Sequence, residues 1–309
     1  MTISKPYLLF RLVPTMRCNR RCSYCFVPGE ERASHSTMFD VHPPSEWVAA
    51  MQNFSQYAVE FYCWGGEPFL LDGTYETVKG WTGFDHVLGG NRLDTNMAFA
   101  DKIAERCPTN KVKLNCSWHP QYDSLAEITR KVRLLAGLDM VGMLNFVASP
   151  YNLETLDSRY GMSIDDLVAH FDGIGVFVNV AADFAIVNGT DPTSYSDYKR
   201  LLLGYTCEED WRQLRCEKTA SLCDANAHFF TVHHNGDLTP CLSSTVCGSF
   251  FEGALTFPEA TVCANDCPSI VAYPFRHDNP FPFRQHLLEY VRRNREHRVT
   301  KCSLTSPLA

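Results

Sequence analysis

Short apolar runs alternate with longer helix-like stretches from residue 7 to about residue 200. Alternation of strand-length and helix-length segments predicts repeated βα units and a parallel sheet. Six runs have the length and composition of strands: Tyr7–Val13, Val59–Trp64, Arg92–Asn96, Val112–Trp118, Val141–Ala148 and Gly175–Val180. Six such units predict an α/β fold, a partial (β/α)6 parallel barrel whose chemistry lies at the carboxyl ends of the strands.

Two helix start signals lie between these runs. Ser124 forms a capping box with Glu127, three residues further on, and this pattern predicts a helix that begins just after the serine. Ser45, which follows Pro43 and Pro44, is the second predicted start.

The pattern changes near Cys207, where helix signals give way to cysteine, glycine and turn residues. His228–His233 and Asp237–Cys241 flank Asn235-Gly236, a dipeptide suited to a two-residue hairpin turn. The sequence therefore predicts a small C-terminal Cys-rich hairpin domain. Phe283 to Arg298 has helical spacing and predicts a closing helix. The predicted divisions are residues 1–205 for the barrel, 206–275 for the hairpin domain, and 276–309 for the helix and tail.

Composition narrows the class of protein. The 309 residues are 45% hydrophobic, which is enough for a sizeable core, and the formal charge of −7 argues against a nucleic-acid partner. The sequence has no apolar run of about 20 residues and no secretory signal pattern at its start, so we expect a cytoplasmic protein with no membrane partner. Fourteen cysteines in such a protein indicate metal or cluster ligation rather than disulfides.

Three of the cysteines, Cys18, Cys22 and Cys25, follow the first predicted strand directly. Their thiolates therefore share one loop at the active end of the barrel. Three ligands for a [4Fe–4S] cluster leave one iron open to another ligand. A zinc site is the alternative that the same spacing allows.

This CxxxCxxC spacing resembles the signature of the radical S-adenosylmethionine (SAM) superfamily, including the aromatic Tyr24 before the last cysteine. Trp64-Gly65-Gly66-Glu67-Pro68 ends the second strand, where that family carries its GGE motif beside the SAM amino group. Gly65 and Gly66 would let the backbone approach SAM closely. The resemblance implies that SAM binds to the open iron and that Glu67 accepts a hydrogen bond from the SAM ammonium group. It also implies SAM contacts from the later strand ends, namely from Thr95, Asn96 and Ser117, and reduction by a flavodoxin- or ferredoxin-like electron donor.

The later cysteines resemble the auxiliary-cluster domain of SPASM and Twitch radical SAM enzymes. Cys223 and Cys241 surround the Asn235-Gly236 hairpin, and Cys263 and Cys267 follow. The shorter Twitch arrangement implies one auxiliary [4Fe–4S] cluster on these four residues, with Cys207 or Cys216 as possible replacements for Cys223 and a structural zinc site as the alternative. The remaining thiols are predicted to be small buried apolar groups: Cys63, Cys107, Cys116 and Cys302.

Cys247 is left over in a loop expected near the substrate. A thiol there could return a hydrogen atom to a substrate radical and invert a carbon centre, as in the radical SAM epimerases of aminoglycoside biosynthesis. Electron transfer to the auxiliary cluster would instead give dehydrogenation, as in the aminocyclitol dehydrogenases. We expect a small polar, cationic substrate, an amino sugar or aminocyclitol. A ribosomal-peptide maturase and a zinc- or cluster-bearing binding protein are the alternatives, and His119, His233 and His234 are predicted to be structural.

Overall fold

The computed structural model describes residues 5–25, 27–187, 192–202, 204–205, 222–223, 225–241, 243–257, 261–262 and 296. A ten-stranded sheet in the strand order β11-β10-β9-β8-β1-β2-β3-β4-β5-β6 organises this part of the chain. Its first six strands in the sequence pair in parallel, each with the next. They are β1 (Tyr7–Leu12), β2 (Ala58–Cys63), β3 (Asn91–Thr95), β4 (Val112–Trp118), β5 (Val141–Val147) and β6 (Val178–Ala181).

The later strands extend this sheet beyond β1. Strand β8 pairs with β1 in parallel, and β9, β10 and β11 follow as antiparallel neighbours. They are β8 (Phe229–Val232), β9 (Asp237–Pro240), β10 (Gly248–Ser249) and β11 (Ala254–Leu255); β7 (Leu222–Cys223) and β12 (Thr261–Val262) form a separate antiparallel pair. The hairpin predicted from the sequence is therefore a lateral continuation of the barrel sheet.

Helices between the parallel strands cover one face of the sheet, and the last helix packs on the other face. They are α1 (Gly29–Ala33), α2 (Pro44–Met51), α3 (Asp72–Thr82), α4 (Ala100–Arg106), α5 (Leu125–Ala136), α6 (Pro150–Tyr160), α7 (Ile164–Asp172), α8 (Phe184–Val187), α9 (Pro192–Leu202) and α10 (Ala225–His228). Alternate strand residues such as Phe10, Phe61 and Leu114 pack with helix residues such as Trp47 and Trp81 in one core. Burial of this apolar surface is the main driving force for the layered arrangement.

The opposite face of β1 to β6, which we call the inner face, carries the other alternate residues. The pairing register aligns Arg11, Tyr62 and Arg92 in one row across β1, β2 and β3. The next row up includes Asp94 of β3 and Asn115 of β4. The rows of the inner face nearest the cysteine loop are therefore polar, whereas further down Tyr7, Leu9 and Phe229 pack with Ala225 of α10 in a second, small apolar cluster.

All six predicted βα strands are confirmed, with ends that shift by up to three residues. Two local predictions needed correction. The hairpin turn is a three-residue loop, because Gly236 N–H donates to His233 O and His233 N–H donates to Asp237 O. The φ of +85° at Gly236 is typical of the left-handed residue that closes such a loop. Helix α2 begins at Pro44, so Ser45 lies within its first turn and does not cap it.

Several predictions fall on other parts of the chain. Cys207, Cys216, Cys263, Cys267, Cys302 and the helix from Phe283 to Arg298 lie outside the described residues. Across the described part, no helix is both long and apolar enough to cross a membrane.

Candidate active site

The loop after β1 holds the three N-terminal cysteines at the carboxyl end of the parallel strands, as predicted. Cys22 is buried, and Cys18 and Cys25 are half-buried. The N–H of Cys25 donates to Cys22 O over 3.3 Å, which closes a turn between these two cysteines. Three thiols on one loop therefore face the end of the barrel together.

Two N–H groups donate to the Cys18 sulfur. Arg20 N lies 3.4 Å from Cys18 Sγ, and Asn96 Nδ2, at the end of β3, lies 3.6 Å from it. Hydrogen bonds to ligand sulfurs are one of the means by which proteins set the potential of an iron–sulfur cluster. The site is therefore built from β3 as well as from the cysteine loop.

The Cys22 sulfur lies beside His119, in the loop after β4. His119 Nδ1 lies 3.3 Å from Cys22 Sγ and 2.6 Å from the Tyr24 hydroxyl oxygen. Burial, and then the positive charge of Arg20, lower the pKa of His119 to about 3. His119 is therefore neutral at physiological pH and supports the loop as an uncharged hydrogen-bonding group.

Burial raises the pKa of both the Cys18 and Cys22 thiols, and the neighbouring cysteines of the loop add to the shift. No group of three or more His, Cys, Asp or Glu side chains within the described residues is arranged to hold a single metal ion. A [4Fe–4S] cluster needs a different arrangement, because each thiolate binds a separate iron atom. The donor set, with three thiols on one loop and N–H donors to Cys18, fits such a cluster with one iron left open.

A buried charge network anchors the cysteine loop to the loop between β4 and α5. Asp123 accepts hydrogen bonds from Arg20 and, over 2.8 Å, from Lys131 Nζ. Arg20, Asp123 and Lys131 are only 4%, 7% and 6% exposed. Arg20 Nη1 is buried without a hydrogen-bond partner. Because buried charges are costly unless they are paired, this network ties residue 20 firmly to the barrel.

The glycines after β2 have a different role from the one expected. Cβ atoms at Gly65 and Gly66 would collide with the backbone of Thr15 and Arg17, and Gly65 has a φ of +134°. Gly66 N donates to Thr15 O over 3.0 Å, and Glu67 N donates to Arg17 O over 2.8 Å. These glycines therefore allow the β2 loop to pack on the start of the cysteine loop.

The Glu67 carboxylate is fully buried, with 0% exposure. It accepts hydrogen bonds from Phe69 N, from the Thr95 hydroxyl and, at 2.7 Å, from Asn96 N. Burial raises the pKa of Glu67 to about 7, although these hydrogen bonds oppose the shift. The expected contact between Glu67 and the SAM ammonium group stays a prediction. In this structure Glu67 links the ends of β2 and β3.

The other residues predicted to contact SAM fall into two groups. Thr95 and Asn96 are both buried and bound to Glu67, and Asn96 Nδ2 also donates to Asn19 Oδ1 over 2.8 Å. Ser117 is half-buried on the inner face of β4, in register with Asn145 of β5. The structure thus brings Thr95 and Asn96 to the cysteine loop as supports, while Ser117 lies on the open inner face.

The second cysteine group is described in part. Cys223 lies in β7, and Cys241 follows β9 with a φ of +48°. Cys247 lies just before β10, three strands away from β1, and its thiol donates to Leu238 O over 3.3 Å. Cys63, Cys107 and Cys116 are buried in the core as predicted. The predicted auxiliary ligand set cannot be assembled from these residues alone, since Cys263 and Cys267 lie outside the described part.

Contacts between distant residues gave no sequence signal. His119 meets Cys22 across 97 residues, and Arg20 meets Asp123 across 103. The inner-face polar residues did have a signal, because Arg92 and Asp94 alternate with buried Asn91, Leu93 and Thr95 along β3. That alternation indicates one polar face.

No protein-family model matches the sequence. No curated protein matches it either. Among solved structures, a histidine-tagged form of anSMEcpe with bound AdoMet matches with a TM-score of 0.51 at 17% identity, over 80% of this chain and 78% of that chain. "Native anSMEcpe with bound AdoMet and Kp18Cys peptide" matches with a TM-score of 0.51 at 16% identity, over 80% of this chain and 78% of that chain. "Native anSMEcpe with bound AdoMet and Cp18Cys peptide" matches with a TM-score of 0.50 at 15% identity, over 96% of this chain and 99% of that chain. The chain therefore has the α/β fold of these radical SAM enzymes, as its sequence predicted.

Proposed function

We propose that this protein is a radical SAM enzyme in which Cys18, Cys22 and Cys25 bind a [4Fe–4S] cluster and the open iron binds SAM. The observation that carries the proposal is the convergence of the three thiols on one loop at the carboxyl end of β1. The supporting observation is the close packing of that loop on the glycines after β2. The fold similarity to AdoMet-bound structures agrees with both.

When bound, the cluster supplies the electron that cleaves SAM to methionine and a 5′-deoxyadenosyl radical. The chain's own residues hold the site in place. Arg20 N and Asn96 Nδ2 donate to the Cys18 sulfur, and Asp123 fixes Arg20. Glu67 holds the ends of β2 and β3 against the cysteine loop. Together these contacts preorganise the thiols before any cofactor arrives.

For the overall reaction, we propose that the radical abstracts a hydrogen atom from a carbon of a small polar substrate and that Cys247 returns a hydrogen atom to the opposite face. One electron from the flavodoxin- or ferredoxin-like donor and one proton from solvent would then restore the Cys247 thiol. The support is that Cys247 is a free, half-buried thiol on the sheet extension that begins beside β1. Dehydrogenation through an auxiliary cluster on Cys223, Cys241, Cys263 and Cys267 is the competing outcome. A peptide substrate is a second candidate, favoured by the peptides named with two of the matched structures.

Anaerobic reconstitution with iron and sulfide tests the proposal. We expect iron near cluster stoichiometry, an electron paramagnetic resonance (EPR) signal on reduction that SAM alters, and formation of 5′-deoxyadenosine. Cys22→Ala should lose all three, while Cys63→Ala, at a buried thiol of the same sheet, should retain them. Tight binding of zinc without SAM cleavage, or unchanged 5′-deoxyadenosine formation by Cys22→Ala, would contradict the proposal.

A further inference from the structure

Two arginines lie in one row of the inner face. The register places Arg11 of β1 opposite Tyr62 of β2, and Tyr62 opposite Arg92 of β3. Side chains in register on neighbouring parallel strands project to the same face. Both guanidinium groups therefore lie on the inner face, one row below Asp94 and on the strands whose upper ends carry the cysteine loop and Asn96.

Both guanidinium groups make aromatic contacts instead of ion pairs. Arg92 Cζ lies 4.8 Å from the centre of the Tyr62 ring, and Arg11 Cζ lies 5.9 Å from the Phe229 ring. The Nε atoms of Arg11 and Arg92 are buried and have no hydrogen-bond partner. Within the described part of the chain, neither arginine forms an ion pair with a carboxylate. Two partly desolvated cations without such a partner are costly.

The nearby carboxylates are already bound by other groups. Asp94 accepts hydrogen bonds from the Tyr62 hydroxyl over 2.7 Å and from Asn115 Nδ2 over 2.7 Å. Glu60, further down β2, accepts a hydrogen bond from Tyr7 over 3.0 Å. Asn115 is 1% exposed, and its Oδ1 is buried without a partner. Because Asn115 Oδ1 and the two Nε atoms are buried, the row offers a ligand only the remaining N–H groups of the two half-buried guanidinium groups.

We propose that Arg11 and Arg92 bind an anionic group of the substrate, a carboxylate or a phosphate, on the inner face below the cysteine loop. This proposal rests on the proposed function and names the chemical class of its substrate. Guanidinium forks match both anions in geometry and charge. Tyr62 between the two arginines supplies a flat apolar wall. The proposal replaces the cationic substrate expected from the sequence.

A second role for Arg11 competes with this one. The Cys241 thiol lies close enough that its charge would favour the protonated form of Arg11 and oppose the lowering of the Arg11 pKa by burial. Arg11 could therefore interact with the charge of Cys241 instead of binding a substrate. Arg92 interacts with Tyr62 and Asp94 and has no such alternative, so the two variants separate the two roles.

The test uses the reconstituted protein saturated with SAM, so that SAM itself does not compete. Isothermal titration with inorganic phosphate, with malonate and with methylammonium measures which ion binds. We expect saturable binding of phosphate or malonate, weakened about tenfold or more in both Arg11→Gln and Arg92→Gln and unchanged in Arg130→Gln. Binding of phosphate but not malonate would indicate a phosphorylated substrate, and binding of malonate but not phosphate would indicate a carboxylated one.

The proposal is overturned if neither anion binds, if methylammonium binds instead, or if the Gln variants keep wild-type affinity. The role proposed for Arg11 is also overturned if Arg11→Gln leaves anion binding unchanged and alters only the EPR signal of a second cluster, because Arg11 then acts on Cys241. Should a Gln variant not fold, phenylglyoxal modification of the wild type with peptide mapping serves instead. Protection of Arg11 and Arg92 by the bound anion supports the proposal, and equal modification with and without anion refutes it. Substrate-free 5′-deoxyadenosine formation tests the proposed function separately.

Discussion

Replacement of Glu67 by glutamine should change how stability depends on pH. The Glu67 carboxyl has a pKa of about 7 in the folded protein, against an ordinary value of 4.5. Between these pH values the folded protein holds a proton that the unfolded chain has released, so the stability of the wild type falls as pH rises. At about 1.4 kcal/mol for each pH unit, this group lowers the free energy of unfolding by about 3 kcal/mol across the window.

Glu67→Gln removes the titrating group. Phe69 N donates to Oε1 and Asn96 N donates to Oε2, so the glutamine amide oxygen remains an acceptor for only one of them, and this cost does not change with pH. Between pH 4.5 and pH 7 the free energy of unfolding of the variant should therefore rise by about 3 kcal/mol relative to that of the wild type. Above pH 7 this difference should stay constant. Urea unfolding, followed by the fluorescence of the buried Trp47 and Trp81, measures the difference at each pH.

Glu127→Gln is the matched control, because Glu127 is hydrogen-bonded to Arg130 and its pKa is lowered. The stabilising effect of Glu127 is lost as pH falls, so its variant should show no gain between pH 4.5 and pH 7. Parallel pH profiles for the wild type and Glu67→Gln would refute the assignment of Glu67 as a buried carboxyl that titrates near neutrality.

Three further predictions follow from contacts of the site. Gly66→Ala should lower the iron bound per chain after reconstitution, because its Cβ would push on the cysteine loop, whereas Gly89→Ala, with open space around it, should bind iron normally. Asp123→Asn should lower the free energy of unfolding by about 3–5 kcal/mol, because it leaves buried Arg20 without a carboxylate and Lys131 with only its 3.6 Å contact to Glu127. The exposed Asp101→Asn should cost less than about 1 kcal/mol, and equal losses would contradict the buried network. Cys247→Ala should still cleave SAM but lose the inverted product that is one dalton heavier in heavy water, and full inversion by this variant would exclude the thiol as donor.

The strands and the cysteine loop were predictable because their signals are local. Strand β4, Val112–Trp118, has the predicted bounds, since apolar residues alternate with polar ones along it and turns flank it. The capping role of Ser124 was equally local and is confirmed by its hydrogen bond from Glu127 N. Pro44 displaced Ser45 as the start of α2 because proline suits the first helical position.

The roles of individual site residues were harder to predict, because they depend on which strand ends meet. Glu67 looked like a ligand residue, yet three protein donors from its own turn and from the end of β3 surround it. Gly66 looked like a place for close ligand approach, yet the backbone of Arg17 occupies that space. These protein contacts of Glu67 and Gly66 leave no trace in a single sequence.

The position of β1 between β2 and β8 has a consequence for how the protein is made. One edge of β1 pairs with Phe229–Val232, which the ribosome adds long after the cysteines. Until then that edge is open, and open edges of apolar strands tend to associate with other chains. Expression of residues 1–205 alone should therefore yield aggregated protein, and delivery of iron and sulfide to the cysteine loop should follow translation of the hairpin instead of accompanying synthesis of the barrel.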